Sequence, residues 1–153
     1  MQKGNALKAL NIIHKGLLAG QVMFAAVTAY LLYSGAVFPA ATGLDKILQV
    51  VALALTAAGV FAGFTVFKKK LGQIREMQGG AKEKFDQYRA ACIIQWALME
   101  GPAIFCIICF FLTGNYAFLA VVAFVIVLFV MTGPSKLKIQ LQLQISEAEL
   151  DEL

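Results

Sequence analysis

The stretch AACIIQWALMEGPAIFCIICFFLT, from Ala90 to Thr113, decides the fold of this chain. Its residues are apolar or small except for Gln95 and one ionisable side chain, Glu100, which Gly101 and Pro102 follow directly. A helix needs about 20 predominantly apolar residues to cross the hydrocarbon core of a bilayer. The stretch therefore predicts a membrane-spanning helix with an acid near its middle.

The composition of the whole chain indicates more than one such helix. Of 153 residues 60% are apolar and only 14% are charged, and the mean hydropathy is +0.77. A soluble domain of this size cannot bury that much apolar surface. We therefore expect an all-α integral membrane four-helix bundle, with spans at about 14–37, 46–68, 89–113 and 116–133. Residues 1–134 would form the transmembrane domain and residues 135–153 a cytoplasmic tail.

The distribution of charge predicts the orientation. If the four spans alternate, twelve of the thirteen basic residues lie on one side of the membrane and only Lys46 lies on the other. The positive-inside rule then places both termini in the cytoplasm. We expect anionic lipid headgroups near Lys68, Lys69 and Lys70. The first apolar run is too long for a cleaved signal peptide, so we predict an uncleaved helix with His14, the one histidine, at the membrane edge.

Two glycine pairs predict close helix packing. Gly16 and Gly20 in the first span, and Gly59 and Gly63 in the second, have the G-x-x-x-G spacing that lets another backbone approach. Matching the depths of the two pairs predicts that the first and second helices pack against each other there. Self-association through these glycines is the alternative.

Glu100 is the residue that most needs a chemical reason. It lies about 15 Å from the cytoplasmic end of its helix, where a charged side chain costs at least about 2.5 kcal/mol on insertion scales. No Lys, Arg or His is at matching depth, so we expect a protonated carboxyl group. Pro102 frees the carbonyl of Leu98 and should kink the helix. We expect a protonated Glu100 to donate a hydrogen bond to the freed carbonyl, to Thr56 or to Gln21. The expected neighbours of Glu100 are thus Pro102, Trp96, Thr56 and Gln21.

The tail alternates polar and apolar residues from Lys136 to Ile145. This period of two predicts an extended strand, and its apolar face is a candidate partner-binding surface. Ser146 and Glu149 then have the spacing of a capping box, which predicts a short final helix. The five residues of the predicted apolar face are Leu137, Ile139, Leu141, Leu143 and Ile145.

Signals of catalysis and of cofactor binding are weak. Three serines, one histidine and one intramembrane acid provide too few members for a triad or a carboxylate pair. Cys92, Cys106 and Cys109 all fall within the third span, where we expect them to be small apolar fillers. We therefore predict no enzyme activity, no cofactor, no metal site and no nucleic-acid partner.

Two resemblances concern the C-terminal half. The run Ala97-Leu-Met-Glu-Gly-Pro-Ala-Ile-Phe105, with Thr113-Gly-Asn115 and Pro134-Ser-Lys136, resembles a family of small, uncharacterised bacterial four-span proteins, which implies no function. Glu100 followed by Ala103-Ile-Phe105 resembles the proton-binding helix of rotary ATPase ring subunits. That second resemblance implies that Glu100 binds and releases a proton, but the glycine repeat of such rings is not reproduced here.

The function expected from the sequence is structural or accessory. The protein would lie in the bacterial inner membrane and recruit a partner, either another protein or further copies of itself, through its tail. The alternative is an oligomeric, proton-coupled channel or transporter subunit in which Glu100 carries the proton.

Overall fold

The computed structural model describes residues 5–151, and the side chains of residues 6–150. This part of the chain forms six α-helices and one turn of 3₁₀ helix at Thr42–Leu44. The helices are α1 (Asn5–Tyr33), α2 (Asp45–Glu76), α3 (Ala81–Thr113), α4 (Ala117–Met131), α5 (Lys136–Leu143) and α6 (Glu147–Asp151). The described residues contain no β-strand.

Three helices, α1, α2 and α3, are long and apolar enough to cross a membrane. A fourth crossing is present if α4 and α5, which meet at a bend of 71°, are counted as one span. Helix α4 alone has 15 residues, about 22 Å by helical rise. The expectation of a helical membrane bundle is therefore confirmed at the level of three to four apolar helices.

Helix α3 is the centre of the bundle, and α1, α2 and α4 all pack against it. His14 meets Trp96 near one end of the bundle, and the amide of Ala41 donates to the carbonyl of Leu112, 2.9 Å away, near the other. Helices α1 and α3 therefore run in the same direction. Helices α1 and α2 scarcely touch each other.

The predicted contact between the two glycine pairs is wrong. Gly59 and Gly63 pack on α3, whereas Gly16 and Gly20 are exposed and would have nothing within 4 Å of an added Cβ atom. The spacing of a glycine pair predicts that a backbone can come close, but it does not say which one. Here α3 occupies the place that was predicted for α1.

The apolar core has two clusters. One lies at the end of the bundle that carries most of the basic residues, and we call it the basic-end cluster; it includes Tyr88, Trp96, Phe129, Ile139 and Leu143. The other lies at the opposite end and includes Cys106, Phe110 and Phe118. Helix α3 contributes to both clusters, which explains why it is the most buried of the helices.

Gly79 and Gly80 lie in the short segment between α2 and α3. Both helices extend past the predicted spans at this end, α2 to Glu76 and α3 back to Ala81. At the other end a tight turn joins α3 to α4. Gly114 has a φ of 72°, a left-handed value that suits glycine, and Asn115 donates from its amide to Asp45, 3.2 Å away.

The predicted strand in the tail is wrong, because residues 136–143 form helix α5. Alternation with a period of two also places residues four apart on one helix face. Ile139 and Leu143 form such a pair and are fully buried, while Leu137 and Leu141 form a second pair on the exposed side. Ser135 caps the helix by accepting from the amide of Lys138 at 3.3 Å. Packing on the bundle therefore decides the structure over the local pattern.

The capping box after α5 is confirmed. The amide of Ser146 donates to the Glu149 carboxylate at 2.8 Å, and the amide of Glu149 donates to the Ser146 hydroxyl at 3.3 Å. The hydrogen bonds from Ser146 hold the pKa of Glu149 below its usual range. Lys136 also pairs with Glu147 at 2.7 Å, so α6 is tied back to the start of α5.

Candidate functional site

Glu100 lies on α3 at the boundary between the packed face and the exposed face of the helix. On one side its neighbours Trp96 and Ala103 are fully buried. On the other side Ala97 and Gly101 are exposed, and an added Cβ atom at Gly101 would meet nothing within 4 Å. Glu100 itself is half-buried and makes no hydrogen bond or ion pair with residues 6–150. The carboxyl group is therefore placed at the surface of the bundle.

The residues predicted to accommodate Glu100 are engaged elsewhere. The hydroxyl of Thr56 is 3.7 Å from the Cys106 thiol, with which it forms a hydrogen bond. The Trp96 ring lies among His14 and Phe129, and Pro102 packs against Gly59. The expectation that Thr56 or Gln21 bonds Glu100 is therefore not met within the described residues.

Gln21 is buried on α1, and neither atom of its side-chain amide has a hydrogen-bond partner among the described residues. Helices α1 and α3 are parallel, and His14 of α1 meets Trp96 of α3. Gln21 and Ala103 each lie seven residues further along, so they are at the same depth. Glu100 is then about 4.5 Å away along the axis by helical rise. The two polar side chains therefore lie at neighbouring depths without bonding each other.

Pro102 organises the contact between α2 and α3. Helix α3 continues through it, although the proline removes the amide that would bond the Leu98 carbonyl. A Cβ atom at Gly59 would be 2.5 Å from that carbonyl oxygen and 2.6 Å from the Pro102 ring. Only a glycine can cover the freed carbonyl this closely, so Gly59 and Pro102 form one packing unit.

His14 is buried in an aromatic site that the sequence did not predict. Its Nε2 atom donates to the Phe129 carbonyl at 2.9 Å, and its ring stacks on Phe129 with centroids 4.9 Å apart. The Trp96 ring is 4.8 Å away on another side, and its indole N–H has no partner among the described residues. His14 therefore joins α1 to both α3 and α4. The Leu10-x-x-x-His14-x-x-x-Leu18 spacing was the available signal.

A second polar group was also missed. A cavity of about 260 Å³ at the basic end is lined by residues of α2, α3, α4 and α5. Its polar members include Lys138 and Gln142 of α5, with Tyr88 and Gln95 of α3. The Tyr88 hydroxyl donates to the Gln142 side chain at 2.7 Å, and Arg75 donates to the Gln142 carbonyl at 2.7 Å. The folded tail builds this cavity, so a strand prediction could not reveal it.

All three cysteines are buried as free thiols. No group of three or more His, Cys, Asp or Glu side chains among the described residues is arranged to hold a metal ion. Glu100 is therefore the strongest candidate for a functional group within the apolar helices, because a carboxyl group can donate a hydrogen bond, accept one or exchange a proton.

Comparisons of the chain with protein-family models, with curated proteins and with solved structures found no match.

Proposed function

We propose that the protein is an accessory subunit of a membrane assembly, and that it binds its neighbour through the exposed face of α3 around Glu100. One observation carries the proposal: Glu100 is half-buried at the bundle surface in the middle of a span, without a partner in residues 6–150. A polar group in that position is costly when lipid surrounds it. A second helix that bonds the carboxyl group would remove that cost.

The residues beside Glu100 suit the approach of a helix. Ala97 and Gly101 are both exposed and are four residues apart, which is the small-x-x-x-small spacing found at helix interfaces in membranes. The open space at Gly101 means that its small size is not required by the fold of the chain itself. A close contact with another helix would make a glycine useful at position 101.

The tail has a smaller part in this proposal than its pattern suggested. Ile139 and Leu143 belong to the basic-end cluster, and they are not free to bind a partner. Leu137 and Leu141 remain exposed and are the part of the tail that could contribute to recruitment. Removing the whole tail would unpack the core, so point substitutions at these two leucines are the cleaner test.

The alternative is an oligomer in which Glu100 carries protons. The same exposed position at the edge of the bundle favours it, because a carboxyl group there can be reached from a neighbouring copy. Glu100 lines neither the 260 Å³ cavity at the basic end nor the two apolar cavities between α2 and α4. A path for protons would therefore have to form between copies.

The first test asks whether the protein assembles through the exposed face of α3. We would measure the size of the complex in native membranes, and of the purified protein, by native electrophoresis for wild type, Gly101→Leu and the control Gly20→Leu. Glycine at position 20 is also exposed with open space, but it lies on the far side of α1. We expect Gly101→Leu to lose the complex and Gly20→Leu to keep it. A complex in native membranes alone indicates a different protein, whereas one in the purified sample indicates a second copy.

Substitutions of Glu100 separate the two functions. The accessory role predicts that Glu100→Gln keeps the complex, since an amide still forms hydrogen bonds, and that Glu100→Leu loses it. The proton-carrier role predicts a proton flux in liposomes that Glu100→Gln abolishes while the complex persists. If Gly101→Leu and Glu100→Leu both migrate like wild type, the accessory proposal is wrong.

A further inference from the structure

A groove runs between α2 and α4, which both pack on α3 but meet each other only in part. Three cavities lie along it. The outer one has about 160 Å³ and the middle one about 410 Å³, and they share Leu53 and Val121. The third is the basic-end cavity, which begins at Phe64 and Leu128, one helical turn beyond Val60 and Phe124 of the middle cavity.

The groove is nearly as long as the hydrocarbon core of a bilayer is thick. On α2 it extends from Gln49 to Phe67, which is about 27 Å by helical rise. The hydrocarbon core of a bilayer is about 30 Å thick. The middle of the groove is walled almost entirely by apolar side chains such as Val60, Val121 and Phe124. An extended acyl chain of one leaflet suits this apolar lining, and it would occupy the half of the groove next to the basic end.

The basic-end cavity offers hydrogen-bond donors. The Lys138 ammonium donates to the Met131 carbonyl at 3.1 Å and to the Gly133 carbonyl at 3.5 Å, and its third N–H group remains for a ligand. The Gln142 side chain accepts from Tyr88 through its oxygen, so its NH₂ group is not used by that bond. Gln95 is only 3% exposed, lines the cavity, and makes no hydrogen bond with residues 6–150.

The charge of the cavity selects the sign of the ligand. Lys138 lines it, and no Asp or Glu does. Its apolar walls, Phe64, Phe67 and Leu128, continue into the groove. The site therefore presents donors and one positive charge at one end, and hydrocarbon surface along the rest. A phosphate attached to an acyl chain has this shape and chemistry.

We propose that the α2/α4 groove binds one anionic phospholipid of the surrounding membrane. Its phosphate lies in the basic-end cavity against Lys138, Gln142 and Gln95, and one acyl chain lies along the groove. The site goes beyond the proposed accessory function, and it is separate from the exposed face of α3. We assign the phosphate to a lipid and not to a free phosphate ion. A free ion would fill only the basic-end cavity and leave the adjoining apolar groove empty.

The experiment uses the full chain purified in detergent, with phosphatidylglycerol and phosphatidylcholine added in equal amounts and bound lipid counted by native mass spectrometry. Lys138→Gln removes the charge, and Lys138→Arg keeps it. Ala57→Trp fills the middle cavity, which Ala57 lines. The matched controls are Lys82→Gln, an exposed lysine of α3, and Ala58→Trp, an exposed alanine; neither residue lines any of the three cavities.

We expect wild type to retain phosphatidylglycerol over phosphatidylcholine. Lys138→Gln should lower that preference about fivefold, as the loss of one interfacial charge implies, and Lys138→Arg should keep it. Ala57→Trp should reduce retention of both lipids, and the two controls should behave as wild type. Melting temperatures of all variants would be compared, since Lys138 also bonds the end of α4.

Three outcomes would overturn the proposal. Equal retention of the two lipids by wild type would mean that the cavity does not select an anion. Unchanged retention in Ala57→Trp would mean that the groove holds no acyl chain. Competition by millimolar glycerol 3-phosphate as strong as that by the lipid would assign the cavity to a soluble phosphate ester.

Discussion

The α2 side and the α1 side of helix α3 are packed in different ways, although both outer helices carry a G-x-x-x-G pair. On the α2 side, Gly59 covers the carbonyl that Pro102 frees, and Gly63 lies against Gln95. On the α1 side the glycines face away, and the contact depends on His14. The comparison shows that one motif can build an interface within a chain or remain available on its surface.

The largest expected effect is on the α1 side. His14→Ala removes a stacked ring and a buried hydrogen bond, and we expect the free energy of unfolding to fall by roughly 2–4 kcal/mol. Thermal unfolding in detergent, followed by the fluorescence of Trp96, would measure it. His14→Phe, which keeps the ring but not the bond, should lose less. An unchanged melting temperature for His14→Ala would mean that α1 is held by other contacts.

The next effect is on the α2 side. Gly59→Ala places a methyl group against backbone and proline, so we expect a loss of about 1–3 kcal/mol from overpacking. Gly63→Ala is the matched control, because its added atom would be 3.2 Å from the Gln95 carbonyl and needs a smaller shift. In the same unfolding assay, the melting temperature of Gly59→Ala should be lower than that of Gly63→Ala. The reverse order would show that Pro102 yields more easily than the Gln95 backbone.

Substitution of Gln21 is expected to increase stability, in contrast to the substitutions of His14 and Gly59. An unsatisfied buried amide costs about 1–3 kcal/mol, so Gln21→Leu should raise the melting temperature. Val22→Leu, at an exposed neighbouring position, should leave it unchanged. A fall in stability for Gln21→Leu would indicate that another chain bonds this amide in the membrane.

The smallest effect should come from Gly20→Ala. The added methyl group meets open space, and alanine favours a helix over glycine by up to about 1 kcal/mol. We expect stability to be unchanged or slightly higher, in contrast to Gly59→Ala. If Gly20→Ala lowers the size of the purified complex on a native gel, the exposed glycines of α1 form a self-association surface.

The sequence predicted those features that depend on composition and local spacing. The apolar helices and the capping box of Ser146 and Glu149 are both found. The partners of the glycine pairs, the burial of His14 and the helix at residues 136–143 were not predicted. Each of these depends on which surfaces meet in three dimensions, and a single sequence does not specify that choice.

The candidate site was predicted in part. Glu100 has no hydrogen-bond or ion-pair partner among residues 6–150, and its expected hydrogen bonds to Thr56 or Gln21 are absent there. Helical spacing alone could not decide whether the acid faces the interior or the lipid. The position of α1 beside α3 decides it, because Glu100 falls at the edge of that contact.

The basic-end cluster joins residues from Leu10 to Leu150, almost the whole described length of the chain. During synthesis this cluster cannot close until the last of those residues has left the ribosome. Tyr88 and Phe85 must therefore wait, uncovered, for α5 and α6, while the opposite cluster needs nothing beyond α4. A chain interrupted before α5 would therefore lack Ile139, Leu143 and Leu150 and leave this cluster incomplete.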